Sequence, residues 1–128
     1  MAATNPGETI DVLIYGPHKP KVIAGFPGRF TTHVFATRND LERLSPEIAA
    51  RIRGIAVTGL VQADRKMLEQ FPKVEMIASF GVGYDHVDFR YAAEKGIIVT
   101  HTPEVLTEEV ADTALGLLIA TLRHFINA

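Results

Sequence analysis

The stretch Ser79-Phe80-Gly81-Val82-Gly83-Tyr84-Asp85 is the part of the sequence that most clearly indicates an α/β fold. It follows the apolar run Val74–Phe80 and precedes a helix-forming segment, so its glycines lie in a strand-to-helix turn. In open α/β sheets, ligands bind outside the carboxyl ends of the strands. Glycines at such a turn expose consecutive N–H groups, which form a concavity suited to an anion. The sequence therefore predicts a site for a small carboxylate, held by the amides of Val82 and Gly83.

The glycine spacing alone does not separate a ligand site from an ordinary tight turn, since many α/β crossovers use glycine in this way. It does differ from the dinucleotide-binding pattern, which needs a third glycine where this chain has His86. That glycine permits close helix–strand packing, which a histidine obstructs. We therefore expect this chain to bind no dinucleotide cofactor by itself.

Outward from this turn, short apolar runs alternate with helical segments along the whole chain. The runs are continuous rather than alternating, which is typical of parallel strands covered on both faces. We predict one α/β domain over residues 1–128, flavodoxin-like, with helices on both faces and five parallel strands in the order 2-1-3-4-5. The predicted strands are Ile10–Tyr15, Thr32–Phe35, Gly54–Thr58, Val74–Phe80 and Ile97–Thr100.

Capping residues place the helices between these strands. Ser45-Pro46-Glu47 is a strong helix start, and Gly54 suits a left-handed helix end. Asp64 caps a second helix, and a third, Asp88–Lys95, is followed by Gly96. Thr107 opens a long last helix that we expect to reach nearly to Ala128, whereas Pro20–Phe30 is ambiguous.

The bulk composition excludes several classes of protein. The 128 residues carry a net charge of -2 without a long block of either sign, which argues against a nucleic-acid partner. The absence of cysteine excludes disulfide scaffolds and thiol chemistry. Met1–Glu8 lacks the features of a secretory signal, and the most apolar stretch, Ala114–Ala120, is far shorter than the roughly 20 residues of a membrane span. We expect a cytoplasmic protein without a membrane contact.

The order and spacing of four motifs resemble the D-2-hydroxyacid dehydrogenase family, within it the glyoxylate and hydroxypyruvate reductase branch. The motifs are Ser79–Asp88, Gly96-Ile97, Thr102-Pro103 and Val110-Ala111-Asp112. The resemblance covers essentially the whole chain and is specific from about Val74 to Arg123. His101 stands where the family commonly has Asn before Thr-Pro.

The resemblance implies a flavodoxin-like substrate domain that works with an inserted Rossmann domain, which binds NAD(P). It implies that the amides of Val82 and Gly83 bind the carboxylate of a 2-keto acid, beside Gly81. It further implies that Thr58 and Gly59 face the same cleft, and that Thr107 lies near the nicotinamide.

The resemblance implies that the family's catalytic Arg, Glu and His belong to the Rossmann domain or its edge, and we expect that domain to be missing from this chain. We therefore expect the isolated chain to be inactive, with no catalytic residue of its own, and to bind a 2-keto acid very weakly without that Arg. His18, His33, His86 and His124 are expected to be solvated or in the core, because none has an evident acidic partner in a cleft. Asp85 and Asp88 are expected to be helix caps.

The last helix has an apolar face at helical spacing, made by Ala111, Ala114, Leu115, Leu118, Leu122 and Phe125. Such a face needs cover, so we predict a homo-oligomer, with exchange of the 107–126 helix between protomers as one route. The alternative is a monomer in which this helix folds back on its own sheet.

Three other functions fit the predicted strand order. A receiver domain needs acidic and lysine residues where this chain has Gly16-Pro17, Thr58-Gly59 and Thr100-His101. A flavodoxin-type electron carrier needs a hydroxyl-rich phosphate loop after the first strand, which Gly16–Pro20 does not supply. A stand-alone binding module for a small carboxylate remains open as the alternative.

Overall fold

The computed structural model describes residues 9–26 and 28–125. The predictions for Met1–Glu8 and for the chain beyond Phe125 lie outside these residues. Five parallel strands form one sheet in the order β2-β1-β3-β4-β5, which confirms the predicted topology. The strands are β1 Ile10–Tyr15, β2 Phe30–Phe35, β3 Gly54–Thr58, β4 Met76–Phe80 and β5 Ile98–Thr100.

Five short helices connect the strands and one long helix follows them. They are α1 Pro20–Ala24, α2 Arg38–Leu41, α3 Pro46–Ala49, α4 Arg65–Leu68, α5 Phe89–Glu94 and α6 Thr107–Leu122. The predicted caps are confirmed at three starts, where Ser45, Asp64 and Asp88 accept backbone N–H groups from the first turn. The left-handed turn at Gly96 is present as well, with a φ of 70°.

The prediction for Gly54 was wrong. Helix α3 ends at Ala49, and Gly54 is the first residue of β3, paired with Val12 and Met76. Its φ is not positive, because the ladder hydrogen bonds hold it in an extended conformation. Helix α2 was not predicted; Thr37 and Asp40 start it with reciprocal side-chain-to-backbone hydrogen bonds.

The main core lies on one face of the sheet. Right-handed crossovers place α1 on one face and α2 to α5 on the other, because the chain reverses its direction across the sheet after β2. On the α2–α5 face, alternate strand residues pack against the helices in a single apolar cluster. Its strand members are Leu13, Tyr15, Ile55, Val57 and Ile77, and its helix and loop members include Leu41, Ile52, Met67, Leu68, Phe71, Tyr91 and Ala92.

The opposite face is covered only in part by the described residues. Val12 and Ile14 of β1 are buried there, but Met76, Ala78 and Phe80 of β4 and Ile98 of β5 are exposed. The expectation of a sheet covered on both faces therefore holds near β1 and fails near β4 and β5. The physical reason is that the crossover between β1 and β2 places α1 on this face, while no residue of α6 is buried against the sheet.

Helix α6 stands clear of the domain. It begins at Thr107 as predicted but ends at Leu122, since His124 adopts a left-handed conformation with a φ of 53°. Phe125 therefore lies past the helix and not on its apolar face. Within residues 9–26 and 28–125, no helix combines the length and apolarity that crossing a membrane requires.

Candidate functional site at the ends of β3 and β4

Two loops meet at the carboxyl ends of the neighbouring strands β3 and β4. The loop after β3 starts at Gly59 and the loop after β4 starts at Gly81. A short parallel bridge between Ala63 and Val87 joins them. Its two hydrogen bonds run from the Ala63 amide to the His86 carbonyl (2.8 Å) and from the Asp88 amide to the Ala63 carbonyl (3.0 Å). The two loops are therefore held together as the walls of one site.

An open hollow of about 500 Å³ lies between these loops. Three glycines that the sequence singled out, Gly59, Gly81 and Gly83, line it. The other lining residues are Leu60, Gln62, Phe80, Asp85 and His86. The structure thus brings together residues that lie more than 20 positions apart in the chain, at the edge of the sheet where ligands of α/β proteins bind.

The backbone amides of Val82 and Gly83 donate to no group within the described part of the chain. The carbonyls of the same two peptide groups are occupied. The Thr102 amide donates to the Gly81 carbonyl (2.9 Å), and His101 Nδ1 donates to the Val82 carbonyl (2.8 Å). A trans peptide points its C=O and N–H in opposite directions. Since residues 101–102 follow β5, both amides point away from β5 and towards the β3 side.

Gly81 and Gly83 have no left-handed φ, so the backbone itself does not demand glycine there. A Cβ on Gly83 would lie 3.8 Å from Asp85 Oδ2, and one on Gly81 would lie 3.6 Å from the Gly83 carbonyl. These are ordinary contacts. What the two glycines provide is space and bare backbone beside the hollow.

His86 is a buried wall of the site. Its Nε2 lies 3.0 Å from Ser79 Oγ, the last but one residue of β4, and its ring faces Gly59. Burial lowers the pKa of His86, although the carboxylate of Asp85 acts in the opposite direction. The ring is therefore neutral at pH 7. Its hydrogen bond to Ser79 joins the residues that flank the loop on both sides.

Three predicted site residues do not line the hollow. Thr58 is buried and its hydroxyl has no hydrogen-bond partner within the described residues; it lies beside Gly16, where a Cβ would come within 2.6 Å of it. Val82 is not among the residues that line the hollow, and its side chain is exposed. Thr107 is the exposed first residue of α6. The roles expected for these residues remain predictions.

The charge of the hollow is unfavourable for an anion. Of the described residues that line it, Asp85 is acidic, none is Lys or Arg, and burial lowers the pKa of His86 so that its ring is neutral at pH 7. The dinucleotide-binding pattern has its third glycine where this chain has His86, which here is buried and bonded to Ser79. The expectation that the chain alone binds no dinucleotide remains a prediction. No group of three His, Asp or Glu residues within the described ranges is placed to hold a metal ion.

Two features were not expected from the sequence: the place of Asp85 in the hollow and an ion pair between β1 and β2. Asp85 was expected to cap a helix, but only Asp88 caps α5, and Asp85 lines the hollow. His33 has an acidic partner after all: its Nε2 lies 2.6 Å from Asp11 Oδ1. Burial alone would raise the pKa of Asp11, but hydrogen bonds from His33 and Arg51 outweigh it and lower that pKa. No sequence signal marks this pair, which only the register of β1 and β2 brings together.

The comparisons with known proteins agree with this architecture. Residues 12–124 match the family described as D-isomer specific 2-hydroxyacid dehydrogenase, catalytic domain. The chain is 37% identical over 117 residues to a glyoxylate/hydroxypyruvate reductase A of Arabidopsis thaliana, covering 91% of this chain and 37% of that protein. A hydroxyphenylpyruvate reductase of Plectranthus scutellarioides is 36% identical over the same length.

Solved structures show the same relationship. An NADPH-dependent glyoxylate/hydroxypyruvate reductase of Sinorhizobium meliloti, crystallised with NADP and malonate, superposes with a TM-score of 0.75 at 42% identity, covering 87% of this chain and 34% of that one. A 2-hydroxyacid dehydrogenase of Ketogulonicigenium vulgare gives 0.79 at 36% identity. The chain spans little more than a third of the length of these relatives. On fold, motifs and relatives alike, this chain belongs to the D-isomer specific 2-hydroxyacid dehydrogenase family.

Proposed function

We propose that this chain is the substrate-binding part of an NAD(P)H-dependent reductase of small 2-keto acids such as glyoxylate and hydroxypyruvate. One observation carries the proposal: two consecutive amides, on Val82 and Gly83, have no partner within the described residues and point to the side where the hollow lies. Two adjacent N–H groups match the two oxygens of a carboxylate. The relatives from Arabidopsis thaliana and Sinorhizobium meliloti are both glyoxylate/hydroxypyruvate reductases by name, which supports this choice of substrate class.

The chain alone supplies only part of what the reaction needs. The described hollow has no Lys or Arg to neutralise a carboxylate, and its turn lacks the third glycine of the dinucleotide-binding pattern. Without the nicotinamide there is no hydride to transfer. We therefore propose that these 128 residues by themselves bind a keto acid weakly and do not reduce it.

A titration followed by NMR tests the carboxylate site. Glyoxylate, added to the full chain at constant ionic strength, should move the Val82 and Gly83 amide resonances first and furthest. Gly83→Ala is the matched variant, because its methyl group is tolerated by the fold but narrows the approach to the amides. It should weaken the response while the rest of the spectrum is unchanged. Glyoxylate that leaves both amides unmoved would refute the site.

An assay of NADPH oxidation tests the lack of activity. Glyoxylate with NADPH and the purified chain should give no rate above that of a protein-free control. Steady keto-acid reduction that follows the chain through purification would show that the chemistry resides in these residues.

We also propose that α6 pairs with α6 of a second copy of this chain. Ala111, Leu115, Leu118 and Leu122 share one side of this helix, and its leucines are between 56% and 69% exposed. Covering even about 300 Å² of such surface is worth about 7 kcal/mol, enough to outweigh a moderate association cost. The area is apolar and free of charge at its centre, which suits an identical partner better than a charged one.

Light scattering coupled to gel filtration tests the pairing. Leu118→Gln, at the centre of the apolar side, should shift the chain towards the monomer mass. Thr113→Gln, on the opposite side of α6, is the control and should leave the mass distribution unchanged. A wild-type chain that stays monomeric at high concentration would contradict the proposal.

A further inference from the structure

His101 contacts the Val82–Gly83 peptide group on the side opposite its N–H. It lies one position after β5, and its Nδ1 is 2.8 Å from the Val82 carbonyl oxygen. A carbonyl oxygen can only accept, so Nδ1 must carry the proton in this bond. The ring also makes an edge contact with Tyr84, at 5.0 Å between ring centroids. His101 is therefore fixed from two sides against the loop that contains the amides.

The Val82 carbonyl and the Gly83 amide belong to one peptide group. A hydrogen bond donated to the carbonyl of a peptide draws electron density towards the oxygen and makes the N–H of the same group a stronger donor. Thr102 does the same, through its backbone amide, for the peptide that joins Gly81 and Val82. The N–H groups of Val82 and Gly83 are therefore both polarised by a hydrogen bond to the carbonyl of their own peptide group, from Thr102 and His101 respectively.

We propose that His101 is a positioning residue, whose imidazole N–H orients and polarises the Val82–Gly83 peptide so that the Gly83 amide receives a substrate carboxylate. This inference rests on the proposed function for its ligand. The two supports differ in kind: Thr102 uses its backbone, which any residue but proline can replace, whereas the support of Gly83 depends on the side chain of His101. Substitution at position 101 therefore acts on one of the two amides selectively.

The protonation of His101 in the free chain gives a test that needs no ligand and no substitution. Long-range ¹⁵N–¹H spectra of the imidazoles, at a pH where free histidine is neutral, show which nitrogen holds the proton. We expect the His101 proton on Nδ1. A ring protonated on Nε2 with a bare Nδ1 would overturn the proposal, because a bare nitrogen cannot bind a carbonyl oxygen.

Two variants test the effect on binding. His101→Phe keeps a ring beside Tyr84 but removes the donor, and His101→Asn places an amide nitrogen at the same number of bonds from Cα as Nδ1. In the glyoxylate titration, His101→Phe should weaken binding by about two- to tenfold, the range expected for one hydrogen bond. His101→Asn should recover most of that loss. The response of the Gly83 amide should fall more than that of Val82, which a general loss of stability would not produce.

The outcomes separate this inference from the proposed function. If glyoxylate moves neither amide in the wild-type chain, the carboxylate site fails, and the protonation of His101 still decides whether it holds the peptide. If the wild-type chain binds and His101→Phe binds equally well, the positioning role is refuted while the site survives. Should His101→Phe not fold, the comparison of His101→Asn with the wild-type chain and the position of the proton carry the test.

Discussion

Asp85 is the acidic group that opposes an anion in the hollow, and its removal should tighten binding. A Cβ on Gly83 would lie 3.8 Å from Asp85 Oδ2, and an acceptor of the Gly83 N–H lies about 2.9 Å from the nitrogen. Depending on the directions of these two vectors, the carboxylates lie closer together or further apart, and we take roughly 6 Å as an intermediate separation. In an open, wet site with a dielectric constant between about 40 and 80, two unit charges at that distance repel by about 0.7–1.4 kcal/mol.

Asp85→Asn should therefore lower the Kd for glyoxylate by about three- to tenfold at low salt. Isothermal titration or the shift of the Gly83 amide measures it. The gain should shrink at about 0.15 M salt, where the Debye length falls to about 8 Å. Removing the charge should change the fold little, since Asp85 is exposed and caps no helix.

Glu75→Gln is the matched control for this measurement. It removes one negative charge just before β4, at the opposite end of the strand from the hollow and roughly 17 Å from Phe80. It should leave the Kd for glyoxylate unchanged at physiological salt. If Asp85→Asn binds no better than the wild-type chain, or if Glu75→Gln improves binding equally, the carboxylate does not bind beside Gly83 and the electrostatic reasoning is refuted.

Three further predictions concern stability. Gly16→Ala should lower the free energy of unfolding in urea by about 2–5 kcal/mol, because φ at this position is 93° and the new Cβ would lie 2.6 Å from Thr58 Oγ1. A loss under about 1 kcal/mol would contradict this. Asp64→Ala should lower the free energy of unfolding by about 1–2 kcal/mol. Asp64→Asn still caps α4, so it should lower that free energy by about half as much or less, although it loses the charge pair with Arg38. Equal losses would be inconsistent with a capping role. Because burial lowers the pKa of His86, the unfolded chain binds its proton first, so stability should fall as pH drops below about 6.5. His86→Gln should flatten that part of the pH profile, and an unchanged slope would show that another group is responsible.

The sheet was predictable because its strands are short apolar runs bounded by turn residues. Ile10–Tyr15 and Gly54–Thr58 match the predicted bounds, and the start of β2 differs by two residues. Helix α2 was missed although Thr37 and Asp40 form a capping box, the same kind of signal that located the equally short helices α3 and α4. What the runs could not show is the uncovered face of β4, since an apolar strand looks the same whether or not a helix covers it.

The glycines of the site were predictable from the sequence, and most of what holds them was not. Gly59, Gly81 and Gly83 follow two strands, so a parallel order places them at one edge. The bond from His86 to Ser79 and the bond from His101 to Val82 depend on how loops lie in three dimensions. His86 and His101 therefore looked like an obstruction and a departure from the family pattern, although each fixes one end of the loop.

The geometry of the site and its affinity for an anion depend on different groups. The orientation of the two amides is set by groups within this chain, through the Thr102 amide, His101 and the His86–Ser79 pair. None of these contacts needs a second domain. The charge of the hollow, by contrast, has the wrong sign for a carboxylate, because Asp85 is its only charged lining residue among those described. Among the described residues, peptide groups that could orient a carboxylate are in place, but no Lys or Arg that would neutralise its charge lines the hollow.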